Sequence, residues 1–135
     1  MKKRIRDSFR TPLVVEVMPS GKRFKLHYDF TYYWKRYGVK VHVPAGFETD
    51  FASIPRPVRF IIPKLGRYNK AAVLHDRLYQ NHRVDSGDKR WFYVFPRYFA
   101  DLLFLDAMID LGVVKWKRLA MYYAVRAFGW LAWRK

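Results

Sequence analysis

Apolar and polar residues change their period once along this chain, near Pro55. Before that point the period is close to two. Leu13, Val14, Val15 and Val17 surround Glu16, which predicts a first strand over residues 13–17, and the run Pro19, Ser20, Gly21, Lys22 supplies turn chemistry after it. Phe24, Leu26, Tyr28 and Phe30 alternate with polar residues, predicting a second, half-buried strand over 24–30. Tyr37 and Gly38 mark another turn, and Val39, Val41 and Val43 alternate with Lys40 and His42 in a third strand. About three antiparallel strands in a meander are the simplest arrangement of these segments.

After Pro55 the period becomes helical. Pro55 and Pro57 disfavour a continuous helix through residues 47–56, which read as a loop, and a short helical piece is expected over 58–65. A first helix is predicted over 68–81, with Ala71, Leu74 and Leu78 as its apolar stripe. A second opens at Pro96, taken as a first-turn residue, and stops before Gly112; its stripe is Leu103 or Phe104, Leu105 and Met108. A third runs over 116–133 and is apolar on most sides, which suits a buried or interface helix. Residues 81–93 between the first two helices read as a charged loop. The expectation is an α+β fold: a small antiparallel N-terminal sheet followed by a three-helix unit. The chain reads as a single domain over 1–135, with a basic arm over 1–10, a β-rich part over 11–55 and a helical part over 56–135.

Charge narrows the partners. Lys and Arg number 27 against 11 Asp and Glu, a formal net charge of +16. A field of that size favours polyanions: nucleic acid, anionic lipid headgroups or acidic protein surfaces. The absence of cysteine excludes a disulfide framework and any thiolate metal site. The N-terminal decapeptide is basic but lacks the apolar run of a signal peptide. The apolar stretch 119–133 contains Arg126 and falls short of the roughly 20 residues that a spanning helix needs.

Two positions carry candidate chemistry. His75 sits between Leu74 and Leu78, where an imidazole is buried and needs a partner. Tyr79, four residues on, shares its face. Asp101 precedes Phe104, Leu105 and Met108 by three, four and seven residues, on the core-facing stripe of its helix, where a carboxylate must be hydrogen-bonded or paired. Asp106 and Asp110 fall off that stripe and are expected in solvent. If the two helices pack antiparallel, Asp101 meets His75, fixes its tautomer and leaves the other ring nitrogen as a base; Tyr79 can donate to the same carboxylate. Asp76 then points about 100° round the helix, toward a cation or substrate. The competing reading is a purely structural His-Asp-Tyr network. Arg56 and Arg97 are expected to hold Asp76 or Asp50 in ion pairs. His27, His42 and His82 read as ordinary surface or satisfied residues.

The strings PAGFETDFASIPR at 44–56, AAVLHDRLY at 71–79 and ADLLFLDAM at 100–108 resemble the family called domain of unknown function 1353, found mainly in phages and prophages. That family implies no particular activity. The HDRLY segment and the helix around Asp101 also resemble the secreted phospholipase A₂ arrangement, a His-Asp helix packed antiparallel against a helix bearing an orienting Asp. This second resemblance implies His75 as the base that activates water, Asp101 and Tyr79 as its orienting partners, and calcium as a cofactor held by Asp76 and backbone carbonyls of an upstream loop. The chain departs from it in having no glycine-rich calcium loop before His75, where Asp50 is the candidate substitute oxygen ligand.

Together these readings lead to a phage- or prophage-encoded, virion-associated protein of a tail, neck or baseplate. It would be made in the host cytoplasm without a signal peptide or transmembrane helix, and His75 would hydrolyse a lipid or other ester. The alternatives are an inert virion assembly component and, third, a basic nucleic-acid-binding protein, for which no recognised motif is present. The partners expected are other virion proteins and an anionic membrane surface with Trp130 and Trp133 at the interface; nucleic acid ranks below both.

Overall fold

The computed structural model describes residues 13–21, 23–49, 68–81, 83–85, 91–94 and 96–133. Its elements run, in chain order, β1 (Val15–Val17), β2 (Phe24–Leu26), β3 (Phe30–Trp34), β4 (Val39–Val43), β5 (Glu48–Thr49), α1 (Asn69–Asn81), β6 (Arg83–Asp85), β7 (Trp91–Val94), α2 (Arg97–Asp110), α3 (Lys115–Phe128) and α4 (Trp130–Trp133). The class is α+β, with antiparallel strands first and helices after. The expected basic arm over 1–10, the helical piece over 58–65 and Arg56 lie outside the described residues.

The sheet is more divided than the sequence pattern predicts. The described strands form three antiparallel units: β1-β2-β5, the hairpin β3-β4 and the hairpin β6-β7. The single strand expected over 24–30 is two strands in different units. Phe24, Leu26 and Phe30 keep their inward parity, but Tyr28 is exposed. The break has a local cause: the Asp29 carboxylate accepts the backbone N–H of Ala45 at 2.8 Å, and Leu26 turns its own hydrogen bonds to Phe47 and Gly46. The charged loop expected over 81–93 contains the β6-β7 hairpin, which pairs Arg83 with Val94 and Asp85 with Trp91 across a bulge. Charge along that segment obscured a pairing that depends on the partner strand and on β4, against which β6 packs.

The β3-β4 hairpin, with Tyr32 opposite Val41 and Phe30 opposite Val43, presents Phe30, Tyr32, Trp34, Val41 and Val43 to the core, all at most 1% exposed. Helix α1 lies at the centre of the fold, packed on α2, β4, β6 and α4. Its buried surface is therefore wider than one stripe: Ala72 and Val73 are as completely buried as Ala71 and Leu74. Helix α2 buries Ala100, Asp101, Leu103, Phe104, Ala107 and Met108, while Leu105 lies at the edge. Pro96 caps α2 instead of opening its first turn. Its C-terminus closes in a Schellman motif, with Val113 N–H to Met108 at 3.0 Å and Gly112 N–H to Ile109 at 3.1 Å. Gly112 takes the left-handed φ of 78° that this cap requires.

The other side of α2 corrects a further expectation. Asp106 and Asp110 are not left to solvent; they fasten the helix to β3. Asp106 accepts Trp34 Nε1–H at 2.8 Å and a two-pronged contact from Arg36, Nε at 2.7 Å and Nη2 at 2.9 Å. Asp110 accepts the Tyr32 hydroxyl at 2.8 Å. Burial, reinforced by the Asp110 charge, holds the Tyr32 phenol far above its ordinary range, so it remains a donor at all physiological pH. Asp106→Ala is expected to destabilise the fold by roughly 1–3 kcal/mol, because it orphans the buried indole N–H of Trp34; urea unfolding measures the loss.

The helix expected over 116–133 is α3 followed by α4, and its backbone is nearly continuous. Gly129 keeps helical dihedrals (φ −64°, ψ −21°), donates to Val125 at 2.8 Å and accepts from Trp133 at 3.0 Å. Only Met121 and Val125 of α3 are fully buried. Among the described residues no helix is long and apolar enough to cross a membrane.

Candidate active site

The site is assembled by three helices. On α1, His75 follows the small residues Ala71 and Ala72, which let the helix approach α2 closely, and Tyr79 lies one turn further on. On α2, Asp101 is in the second turn. Contacts run in opposite directions along the pair: Tyr79 faces Arg97 and Asp101, and His75 faces Asp101 and Phe104. The helices are therefore antiparallel, which brings the two residues together across 26 positions of sequence.

His75 Nε2 lies 2.6 Å from Asp101 Oδ1, and the Tyr79 hydroxyl donates to the same oxygen at 2.6 Å. His75 is 2% exposed and Asp101 is completely buried. The imidazole is clamped between the rings of Tyr79 and Phe104, with centroids 4.0 Å and 4.8 Å away. The expected trio of His75, Asp101 and Tyr79 is thus one hydrogen-bonded group. With Nε2–H donating to the carboxylate, the ring's lone pair is on Nδ1.

The second carboxylate oxygen has partners the sequence reading missed. Arg126 Nη1, from α3, donates to Asp101 Oδ2 at 2.8 Å, and Arg97 Nη1, one turn before Asp101, lies 3.4 Å from it. Arg97 also donates to the carbonyls of Val125 at 2.9 Å and Arg126 at 3.0 Å, so it staples α2 to the end of α3. Arg97, expected to hold Asp76 or Asp50, instead pairs with Asp101, four residues on along the same helix face; Asp50 lies outside the described residues. A signal for Arg126 was available, since a guanidinium inside an otherwise apolar segment needs an anion or carbonyls to satisfy its donors.

Burial opposes the negative charge on Asp101. The contact with His75, the hydroxyl of Tyr79 and the guanidinium of Arg126 outweigh it, and the carboxyl is held below the usual carboxylate range. Tyr79 moves the other way: burial first, then its bond to Asp101, hold its phenol well above its ordinary range. It acts as a fixed donor. Trp133, expected at a membrane interface, is only partly exposed and stands edge-on to Tyr79 at 5.1 Å. It forms part of the wall behind the site.

Asp76 is half-buried beside the trio, and its carboxylate accepts the hydroxyl of Thr49, a residue 1% exposed at the end of β5. Asp50, the other expected metal ligand, lies outside the described residues. Calcium requires six or more oxygens. Among the described residues no cluster of three or more His, Cys, Asp or Glu could hold a metal. Among the described residues, Asp76 with Thr49 alone supplies fewer oxygens than calcium takes.

Away from this site, His42 bridges Thr31 (3.2 Å) and Asp29 (3.4 Å) on the β3-β4 hairpin, as a satisfied residue should. His27 is exposed and lies in the bend after β2, not in a strand.

Residues 24–125 match the family model described as "Protein of unknown function (DUF1353)", which covers every element from β2 to most of α3. An uncharacterised protein, y4jT, from Sinorhizobium fredii is 36% identical over 109 residues, 78% of this chain. The aligned part is 29% of that relative, so the chain spans less than a third of its length. No solved structure matches.

Proposed function

We propose, for a chain that belongs to the DUF1353 family of proteins of unknown function, that it is a hydrolase in which His75 activates water against an ester. The observation that carries this reading is the 2.6 Å contact between His75 Nε2 and Asp101 across two antiparallel helices, with Tyr79 on the same oxygen. A carboxylate fixed behind an imidazole holds the tautomer whose Nδ1 accepts a proton and stabilises the imidazolium that results. In the proposed step water gives a proton to Nδ1 while its oxygen attacks the ester carbonyl carbon. The tetrahedral intermediate then collapses with cleavage of the bond to the alcohol oxygen, which takes the proton back from His75. Asp101 and Tyr79 act as positioning residues.

The test is hydrolysis of a panel of soluble and lipid esters by the purified chain. His75→Asn is expected to lower the rate by about 10²- to 10⁴-fold, the usual worth of a positioned acid-base group. Equal turnover by wild type and variant, or no turnover of any ester by the wild type, sinks the proposal. The setting in a phage particle belongs to the same proposal. Its support is the motif resemblance, and peptide detection in washed virions is its check.

One observation favours the second reading, a structural network. Asp101 receives donors from His75, Tyr79, Arg126 and Arg97 and is wholly buried, an arrangement that would also serve only to lock three helices together. On that reading His75→Asn changes the melting temperature and the wild type turns over no ester.

A further inference from the structure

Helix α3 carries two apolar faces, and among the described residues it is the face of Met121 and Val125 that packs into the fold. Met121 and Val125 face inward, 0% and 3% exposed. At about 100° per residue, Trp116, Tyr123 and Trp130 fall within roughly 40° of one another on the opposite side. Leu119, Ala120 and Ala127 fill the same face. Trp116 is 54% exposed, Tyr123 63% and Trp130 46%. Such a line of aromatics runs about 21 Å along the surface. Single exposed apolar residues need no explanation, but a contiguous aromatic row marks a contact surface.

The charge around the row says what it contacts. Residues 115–135 hold six cations (Lys115, Lys117, Arg118, Arg126, Arg134 and Lys135) and no acidic residue. Two are engaged inside the fold: Arg126 on Asp101, and Arg118 on the carbonyl of Val113 at 2.9 Å. Lys115 and Lys117 border the row, and Lys117 Nζ sits 5.7 Å from the centre of the Trp116 ring. Two copies of a chain with net charge +16 repel face to face. An anionic bilayer is attracted, and Trp and Tyr rings settle at headgroup depth.

We propose that the outward face of α3, led by Trp116 and Tyr123 and bordered by Lys115 and Lys117, docks onto an anionic lipid surface, with the helix lying in the headgroup plane. The same segment reaches the buried site through Arg126 and through Trp133 against Tyr79, so a docked helix holds the His75 site next to the lipid. The docking stands on its own observations and does not need the site to be catalytic.

The experiment is co-sedimentation of the full chain with vesicles of phosphatidylcholine alone or with a third of phosphatidylglycerol, alongside tryptophan emission. Wild type is expected to sediment with the anionic vesicles only and to shift its emission to the blue. Trp116→Ser/Tyr123→Ser is expected to weaken the binding by at least about ten-fold, with an unchanged circular dichroism melt because both side chains are exposed. Lys115→Glu/Lys117→Glu should weaken it comparably and flatten the response to salt, because fewer cations face the headgroups. His75→Asn is expected to bind like wild type, so a failed hydrolase reading leaves this result intact. Vesicle binding that the aromatic variant does not reduce overturns the proposal. So does wild type that ignores anionic vesicles, whether or not it pairs with itself or with an acidic protein through this face.

Discussion

Asp101→Ala is expected to destabilise the protein by roughly 3–5 kcal/mol. That is a large share of the 5–15 kcal/mol that folds of this size possess. The substitution leaves the His75 imidazole and the Tyr79 hydroxyl without the acceptor they share, and it removes the anion opposite Arg126 and Arg97. The two guanidinium groups contribute the smaller part, since their side chains are 34% and 18% exposed and water replaces some of what they lose. Urea midpoints check the magnitude, and a change below about 1 kcal/mol would mean that the buried network does not hold the helices together. Asp101→Asn keeps the shape and one acceptor, so its loss should be smaller.

The same residue sets an acid limit. Its carboxyl is held below the ordinary range in the folded chain, whereas in the unfolded chain it titrates near 3.9. As pH falls below about 4 the unfolded state takes up the proton first, so this contribution is complete above that pH and disappears as pH drops through the folded value. Wild type should therefore lose stability steeply on the acid side, and Asp101→Asn should show a flatter curve there. Parallel acid limbs would show that other carboxylates dominate.

Gly129→Ala is expected to destabilise the protein by roughly 1–3 kcal/mol, although helix propensity argues for the opposite sign. With φ at −64°, alanine suits the backbone and by itself would add up to about 1 kcal/mol of stability. Sterics decide against it. A Cβ at this position would meet the Tyr79 hydroxyl oxygen and the Val125 carbonyl oxygen at 2.4 Å each, and Arg97 Nη1 at 3.0 Å. None of these can withdraw cheaply: the hydroxyl is bonded to Asp101, the guanidinium holds two carbonyls, and the third is backbone. Thermal melts of Gly129→Ala in the wild-type and Tyr79→Phe backgrounds provide the check. Part of the loss should vanish in the second background, because one of the two clashes is gone. A stabilised Gly129→Ala would show that the close packing of α4 on the site is wrong.

Where local pattern carries the information, the sequence was sufficient. The positions of α1 and α2, the stop before Gly112 and the alternation of Val39, Val41 and Val43 are set by periodicity and cap chemistry. His75, Tyr79 and Asp101 were legible for a related reason. Each is a polar group at a helical position that the surrounding leucines, alanines and phenylalanine place inside, and a buried polar group must have a partner. Asp106 and Asp110 escaped that logic because they lie off the stripe facing α1, and only the presence of β3 on the other side of α2 turns their exposed-looking face into an interface.

The amino-acid order alone determined the α+β class, the two central helices and the requirement that the carboxylate at 101 and the imidazole at 75 each find a partner. Tertiary structure decided what no period encodes: the split of one strand at Asp29, the β6-β7 pairing, the approach of Arg97 and Arg126 to the same carboxylate, and which of the two apolar faces of α3 turns outward. The physical reason is range. Periodicity and caps act within a few turns of one element, whereas the partner of a buried charge, or of an apolar face, is chosen by whichever distant element packs against it.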